Sequence, residues 1–205
     1  MKRTLVAAAL LAAIGAASAA PSLVFNIDGG GTRTEAFNLS WLTLGTGTTL
    51  DLGYLSTTGA GTVTYTYLGE ESGFKDKLLT LGSPTKTLTE AGVAGTTSIS
   101  DAVGGAGTLK FEFEGDVGKF AVNGPASGWA PGTSIGLIGT DMTVLGKKYA
   151  FVLGYNDSAG SAKLGDWDDF VVGVNITAIP EPETYALLLA GLGAVGFMAR
   201  RRRTA

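Results

Sequence analysis

Between residues 20 and 178 apolar side chains recur at every second position in short runs broken by Gly, Asp and Asn, and no soluble amphipathic helix of convincing length interrupts them. A period of two places successive side chains on opposite faces of an extended chain, so each run reads as a strand with a face to bury. The clearest signal is Leu109, Phe111 and Phe113 alternating with Lys110, Glu112 and Glu114, followed by Gly115-Asp116-Val117-Gly118 and a return run over 119–123. That pattern predicts a hairpin. Phe37, Leu39, Trp41 and Thr43 alternate in the same way with Asn38, Ser40 and Leu42, and further strands are predicted over 23–27, 49–55, 62–68, 78–81, 134–138, 149–155 and 170–176. Parallel strands would need crossover helices of about a dozen residues, which the sequence lacks. The expectation is an all-β fold, an antiparallel β-sandwich or jelly-roll-like domain.

Both ends of the chain obey different rules. Lys2 and Arg3 precede an apolar stretch over 5–17 that closes in Ala17-Ser18-Ala19-Ala20, the pattern of a secretory signal peptide. Cleavage is placed after Ala19, because a cut after Ala20 would leave Pro21 beside the scissile bond. At the other end stand Pro180, Glu181 and Pro182, an apolar run over 185–199, and Arg200, Arg201, Arg202 and Arg203. Two prolines in three residues break regular structure, and a cluster of arginines beside an apolar run holds that end in the cytoplasm. Everything before Pro180 then lies across the membrane. The apolar run has 15 residues, which at about 1.5 Å rise reach about 22 Å, short of the ~30 Å hydrocarbon core of a bilayer. The expected organisation is a signal peptide over 1–19, an exported β-rich domain over 20–178, and a C-terminal segment over 179–205 that holds the proline motif, a transmembrane stretch and the arginine cluster.

In its order of Pro-Glu-Pro, hydrophobic helix and basic end, this tail resembles a PEP-CTERM sorting signal, by which many Gram-negative bacteria hand exported proteins to an exosortase. The resemblance covers 179–205 and carries no information about the fold upstream. It implies signal peptidase and exosortase as partners, a transient stay in the inner membrane, and a destination at the cell surface or outside the cell. It also suggests exopolysaccharide as a partner in a biofilm matrix.

The domain between the two processed ends holds nine basic and 16 acidic residues, a net charge of about −7, which disfavours nucleic acid and anionic lipid as partners. Neither cysteine nor histidine occurs in the chain, so disulfides and any Ser-His-Asp or Cys-His nucleophile are excluded. Asp28, followed by Gly29, Gly30, Gly31 and Thr32, resembles the first phosphate loop of sugar kinases and actin-like ATPases, but their later segments have no counterpart here. Glu112 and Glu114 share one face of a predicted strand beside Lys110, a solvated arrangement more than a glycosidase pair.

A more specific pattern is the run into Asn156 and Asp157, a gap, and then Asp166-Trp167-Asp168-Asp169 leading into the last strand. Asp157, Asp166, Asp168 and Asp169 offer the oxygen ligands that Ca²⁺ prefers, with backbone capping as the competing role. Trp129 and Trp167 are the candidates for stacking on a sugar ring. The functional expectation is an exported, non-catalytic surface or extracellular-matrix protein, with no catalytic residues and no cofactor beyond that candidate calcium. Its alternative is an extracellular carbohydrate-binding module, and after that a secreted hydrolase. Amino-terminal sequencing of the exported protein should begin at Ala20; a start at Met1 would contradict the signal-peptide reading.

Overall fold

Residues 151–155 and 170–174 are apolar almost without interruption, and strands of that kind need cover on both faces. The computed structural model, which describes residues 19–28, 33–35, 39, 48–116, 118–157, 167–179 and 182–203, supplies that cover. Its strands are β1 (Leu23–Ile27), β2 (Arg33–Glu35), β3 (Thr48–Thr57), β4 (Gly61–Gly69), β5 (Lys77–Thr80), β6 (Lys86–Thr89), β7 (Ser98–Val103), β8 (Gly107–Thr108), β9 (Phe111–Glu114), β10 (Phe120–Val122), β11 (Ser134–Val144), β12 (Lys147–Asn156) and β13 (Phe170–Ala178). A short 3₁₀ turn spans Ala126–Gly128, and one helix, α1, spans Pro182–Arg203.

All pairings are antiparallel. The larger sheet runs β1-β3-β11-β12-β13-β4-β7, with β2 and β8 also paired to β3, and the smaller runs β10-β9-β5-β6. This is the expected all-β, sandwich-like architecture. The 109–123 hairpin forms as β9 and β10, with Ala121 opposite Phe113.

Alternation along the strands makes two cores. Phe111 and Phe113 of β9 and Leu78 of β5 pack with Tyr65 of β4, Tyr155 of β12 and Phe170 of β13. The Phe113 and Tyr155 rings stack at 5.2 Å and 5°, and Phe111 lies 5.1 Å from Tyr65. Intervening residues of the same strands, Val152 and Val171, form a second cluster with Leu50, Leu52, Leu68, Tyr149 and Trp167. Two glycines facing each other across β11 and β12, Gly136 and Gly154, make a slot for Trp167. A Cβ on Gly136 would lie 2.9 Å from the indole, and one on Gly154 only 2.1 Å from the Trp167 carbonyl. Tyr149 uses Gly173 similarly, at 2.3 Å.

A buried amide ties β3 to the hairpin. Asn123 Oδ1 accepts the Leu55 N–H at 2.8 Å, while its Nδ2 donates to the carbonyls of Leu55 and Leu109 at 2.8 and 2.7 Å. The Leu55 carbonyl also accepts the Leu109 N–H at 3.1 Å, so the amide chiefly satisfies the Leu55 N–H and the Leu109 carbonyl, groups that folded chains avoid burying without partners.

Several elements differ from the sequence expectation. Strands β11 and β12 run on to a tight turn at Leu145 and Gly146, both with positive φ (50° and 76°). Leucine is an unusual first residue for such a turn, so Gly146 alone marks it in the sequence. The strands β6, β7 and β8 were not expected because their exposed faces are rich in Thr, Ser and Gly. Apart from Leu39, the alternating run over 37–43 lies outside the described residues. Asn123→Ala would remove the side-chain partner of the buried Leu55 N–H and Leu109 carbonyl and should cost about 2 kcal/mol or more in urea unfolding. Val24→Ala, at a position 40% exposed, should cost below about 0.5 kcal/mol; equal effects would contradict the stitching role.

Candidate functional site

Four strand ends meet at one edge of the sandwich. Because Lys77 pairs with Glu114, Asp76 just before β5 lies beside Gly115 just after β9. Because Tyr155 pairs with Phe170, Asp157 just after β12 lies near Asp169 just before β13. The Phe113–Tyr155 stack joins the two pairs through the core. Antiparallel topology thus gathers carboxylates from distant parts of the chain.

Within this cluster Asp169 acts as a cap: its Oδ2 accepts the Asp157 N–H at 2.7 Å. The Ser72 hydroxyl donates to Asp157 Oδ2 at 3.3 Å. The Asp168 carbonyl accepts the Glu71 N–H at 3.0 Å, holding the segment after β4 against the start of β13. Asp157, Asp168 and Asp169 are all buried, whereas Asp166 lies outside the described residues. Three of the four expected acids therefore come to one edge, and at least Asp169 serves the backbone capping that competed with metal binding.

Asp76 was not expected. It is 1% exposed, and neither of its carboxylate oxygens has a hydrogen-bond partner. Burial, then the Asp157 charge, push its carboxyl up to about 7; Glu90 and Glu70 add to the rise, and the nearby Ser72 hydroxyl opposes it. The Tyr155 hydroxyl is likewise buried without a partner, and burial together with the charges of Asp76, Asp157 and Asp169 drives it well above its usual range. No sequence signal marks Asp76, because it belongs to the loop before β5, far from Asp157 in the chain. Among the described residues no group of three or more Asp or Glu side chains is placed to hold a metal ion.

The other candidates fall elsewhere. Trp167 is 2% exposed and its indole N–H donates to Ser134 Oγ at 2.8 Å, so its ring faces are taken up by the second core. Trp129 is half-buried beside the 3₁₀ turn, donating its indole N–H to the Val122 carbonyl at 2.9 Å. Glu114 pairs with Lys77 at 3.2 Å. Asp28 Oδ2 accepts the Ala126 N–H at 3.1 Å, and Gly29 to Thr32 lie outside the described residues.

Strand β13 ends at Ala178 and α1 begins at Pro182, a position where a helix tolerates proline because the first N–H groups have no partner within the helix. Pro180 and Glu181 lie outside the described residues. Along α1, Leu188, Leu189, Leu192, Val195, Phe197 and Met198 are exposed, and their spacing distributes them around the helix. Such a helix has no apolar stripe to lay on a protein core. The expected transmembrane stretch is not identified: among the described residues no helix is long and apolar enough to cross a membrane. Arg200 is exposed, and Arg201, Arg202 and Arg203 complete the helix.

Fold and tail together define a β-sandwich-like domain joined to a C-terminal helical segment. Residues 178–203 match the PEP-CTERM protein-sorting motif, so the chain carries a C-terminal PEP-CTERM sorting signal, the mark of an exported protein handed to an exosortase. No curated protein and no solved structure matches it.

The carboxyl of Asp76 is raised on folding, from 3.8 to about 7, so the folded state holds a proton that the unfolded chain releases. In chelator, stability is therefore fullest below about pH 4 for this group and is lost as pH rises through about 7. Melting temperature should fall across that window, and Asp76→Asn should flatten the fall. A wild-type profile level from pH 4 to 8 would contradict this.

Proposed function

We propose that the domain is a non-catalytic component of the cell surface or of an extracellular polysaccharide matrix, delivered by signal peptidase and exosortase acting at opposite ends of the chain. The sorting motif over 178–203 carries this reading. Motif and signal peptide act at separate steps: the amino-terminal apolar stretch starts export, and the tail pauses in the inner membrane with its arginines on the cytoplasmic side. An apolar run too short for a permanent anchor suits a tail that is removed. The non-catalytic part is supported by the absence of histidine and cysteine from the sequence, by Trp167 serving the core, and by Glu114 being paired with Lys77.

A second reading, carbohydrate binding, is favoured by one observation. An open cleft of about 610 Å³ beside β7 is lined by Asp101, Ser83, Thr108 and Lys110 around the glycine-rich segment 104–107, with Tyr65 also contributing. Polar groups converging on a concave surface are the general form of a small-ligand site. A glycan array probed with the intact protein and with Asp101→Ala and Trp129→Ala variants separates the readings: binding lost in either variant supports a sugar site, and no binding supports the structural role.

For sorting, Glu181→Ala should leave export intact and stop removal of the tail, so that an uncut form collects in the inner membrane. Fractionation with intact mass measurement reads both species. Normal release of a shortened Glu181→Ala protein would overturn exosortase processing.

A further inference from the structure

We propose that Asp76 and Asp157 are two ligands of a calcium site that clamps the start of β5 to the connection between β12 and β13. The inference begins with Asp76. A carboxylate buried without a partner is costly, and folded proteins resolve it by pairing the group, protonating it or giving it a cation. Here the side chain is 1% exposed and both oxygens lack hydrogen-bond partners.

The space in front of it is kept open by a glycine. A Cβ built on Gly115 would lie 2.6 Å from Asp76 Oδ1 and 3.4 Å from the Asp157 Cβ. Any larger residue there would fill the gap between the two acids. Asp157 is held in place by two contacts, its N–H on Asp169 Oδ2 and the Ser72 hydroxyl on its own Oδ2. The Tyr155 hydroxyl, also without a partner, lies close enough for Asp76, Asp157 and Asp169 to act on it. This edge thus presents carboxylate and hydroxyl oxygens to one another with a cradle between them.

The donor chemistry selects the ion. Zinc favours nitrogen and sulfur ligands, and the chain has neither histidine nor cysteine to offer. Magnesium demands near-ideal octahedral geometry, whereas calcium accepts six to eight oxygens in flexible arrangements, including hydroxyl, carbonyl and water. No group of three carboxylates among the described residues is placed to hold a metal ion, so two acids would be completed by neutral oxygens such as Ser72 Oγ. Few charged ligands mean weak binding, and extracellular calcium modules work at about 10⁻⁴ to 10⁻³ M. That the ion is available at this level rests on export, but whether it binds does not.

The test uses the full chain at neutral pH. Calcium at 5 mM against chelator should raise the melting temperature by roughly 2–6 °C, and magnesium at the same level by less. Asp76→Asn and Asp157→Asn should each abolish the calcium shift, while Asp141→Asn, at an exposed ion pair with Lys148, should keep it. Superimposable wild-type curves with and without calcium would overturn the site, as would a shift that survives in both Asp76→Asn and Asp157→Asn. If these variants fail to fold, terbium luminescence of the wild type excited through tyrosine reads the same site: emission displaced by calcium supports it, and no displaceable emission overturns it. Tail processing does not enter these measurements, so they fail or succeed independently of the sorting reading.

Discussion

Burial of both faces of β12 and β13 is the constraint on which the rest of the structure depends. From Val152 to Asp157 and from Phe170 to Val174 no residue reaches the surface. Strands in that position must be covered twice. On one side the small sheet brings Phe111, Phe113 and Leu78 against Tyr155, Phe170 and Val172. On the other side Trp167 and Tyr149 lie directly on the sheet, which only glycine at 136, 154 and 173 permits. Each aromatic removes a large apolar area from water, at roughly 25 cal/mol per Å², so the second face is more than a solvated back.

The same constraint places the acidic edge. Asp157 follows the end of β12 and Asp169 precedes β13, and the pairing of β5 with β9 brings Asp76 to that edge. Polar groups drawn into such a junction must be satisfied locally, and Asp169 and Ser72 do this for Asp157. Asp76 is the residue that this local arrangement leaves over. The tail is under no such constraint: its described apolar residues are exposed along α1, consistent with a segment that addresses the domain and takes no part in its core.

Much of the fold was legible because alternation is a local signal. Phe111-Glu112-Phe113-Glu114 declared its hairpin, and the runs over 149–155 and 170–176 declared the central pair. The ends of β11 and β12 were hidden because Leu145 adopts a backbone conformation its side chain does not advertise. Edge strand β7 was hidden because Asp101 interrupts the short apolar face that Ile99 and Val103 pack against the core, although it pairs with β4 over six residues. Of the acidic cluster, Asp157, Asp168 and Asp169 were visible as neighbours of one turn. Asp76 was invisible, since only the pairing of two sheets of different origin in the chain brings it there. Trp167 looked like a ligand platform for the same reason: the paired glycines that accept it lie on β11 and β12, far from it in sequence.

Native-state hydrogen exchange tests the double burial most directly. The account predicts that amides over 152–155 and 170–174 exchange only through global unfolding, with β1 and β7 at the sheet edges opening at lower free energy. Exchange of the β12 and β13 amides through the same low-energy openings as β1 and β7 would contradict it.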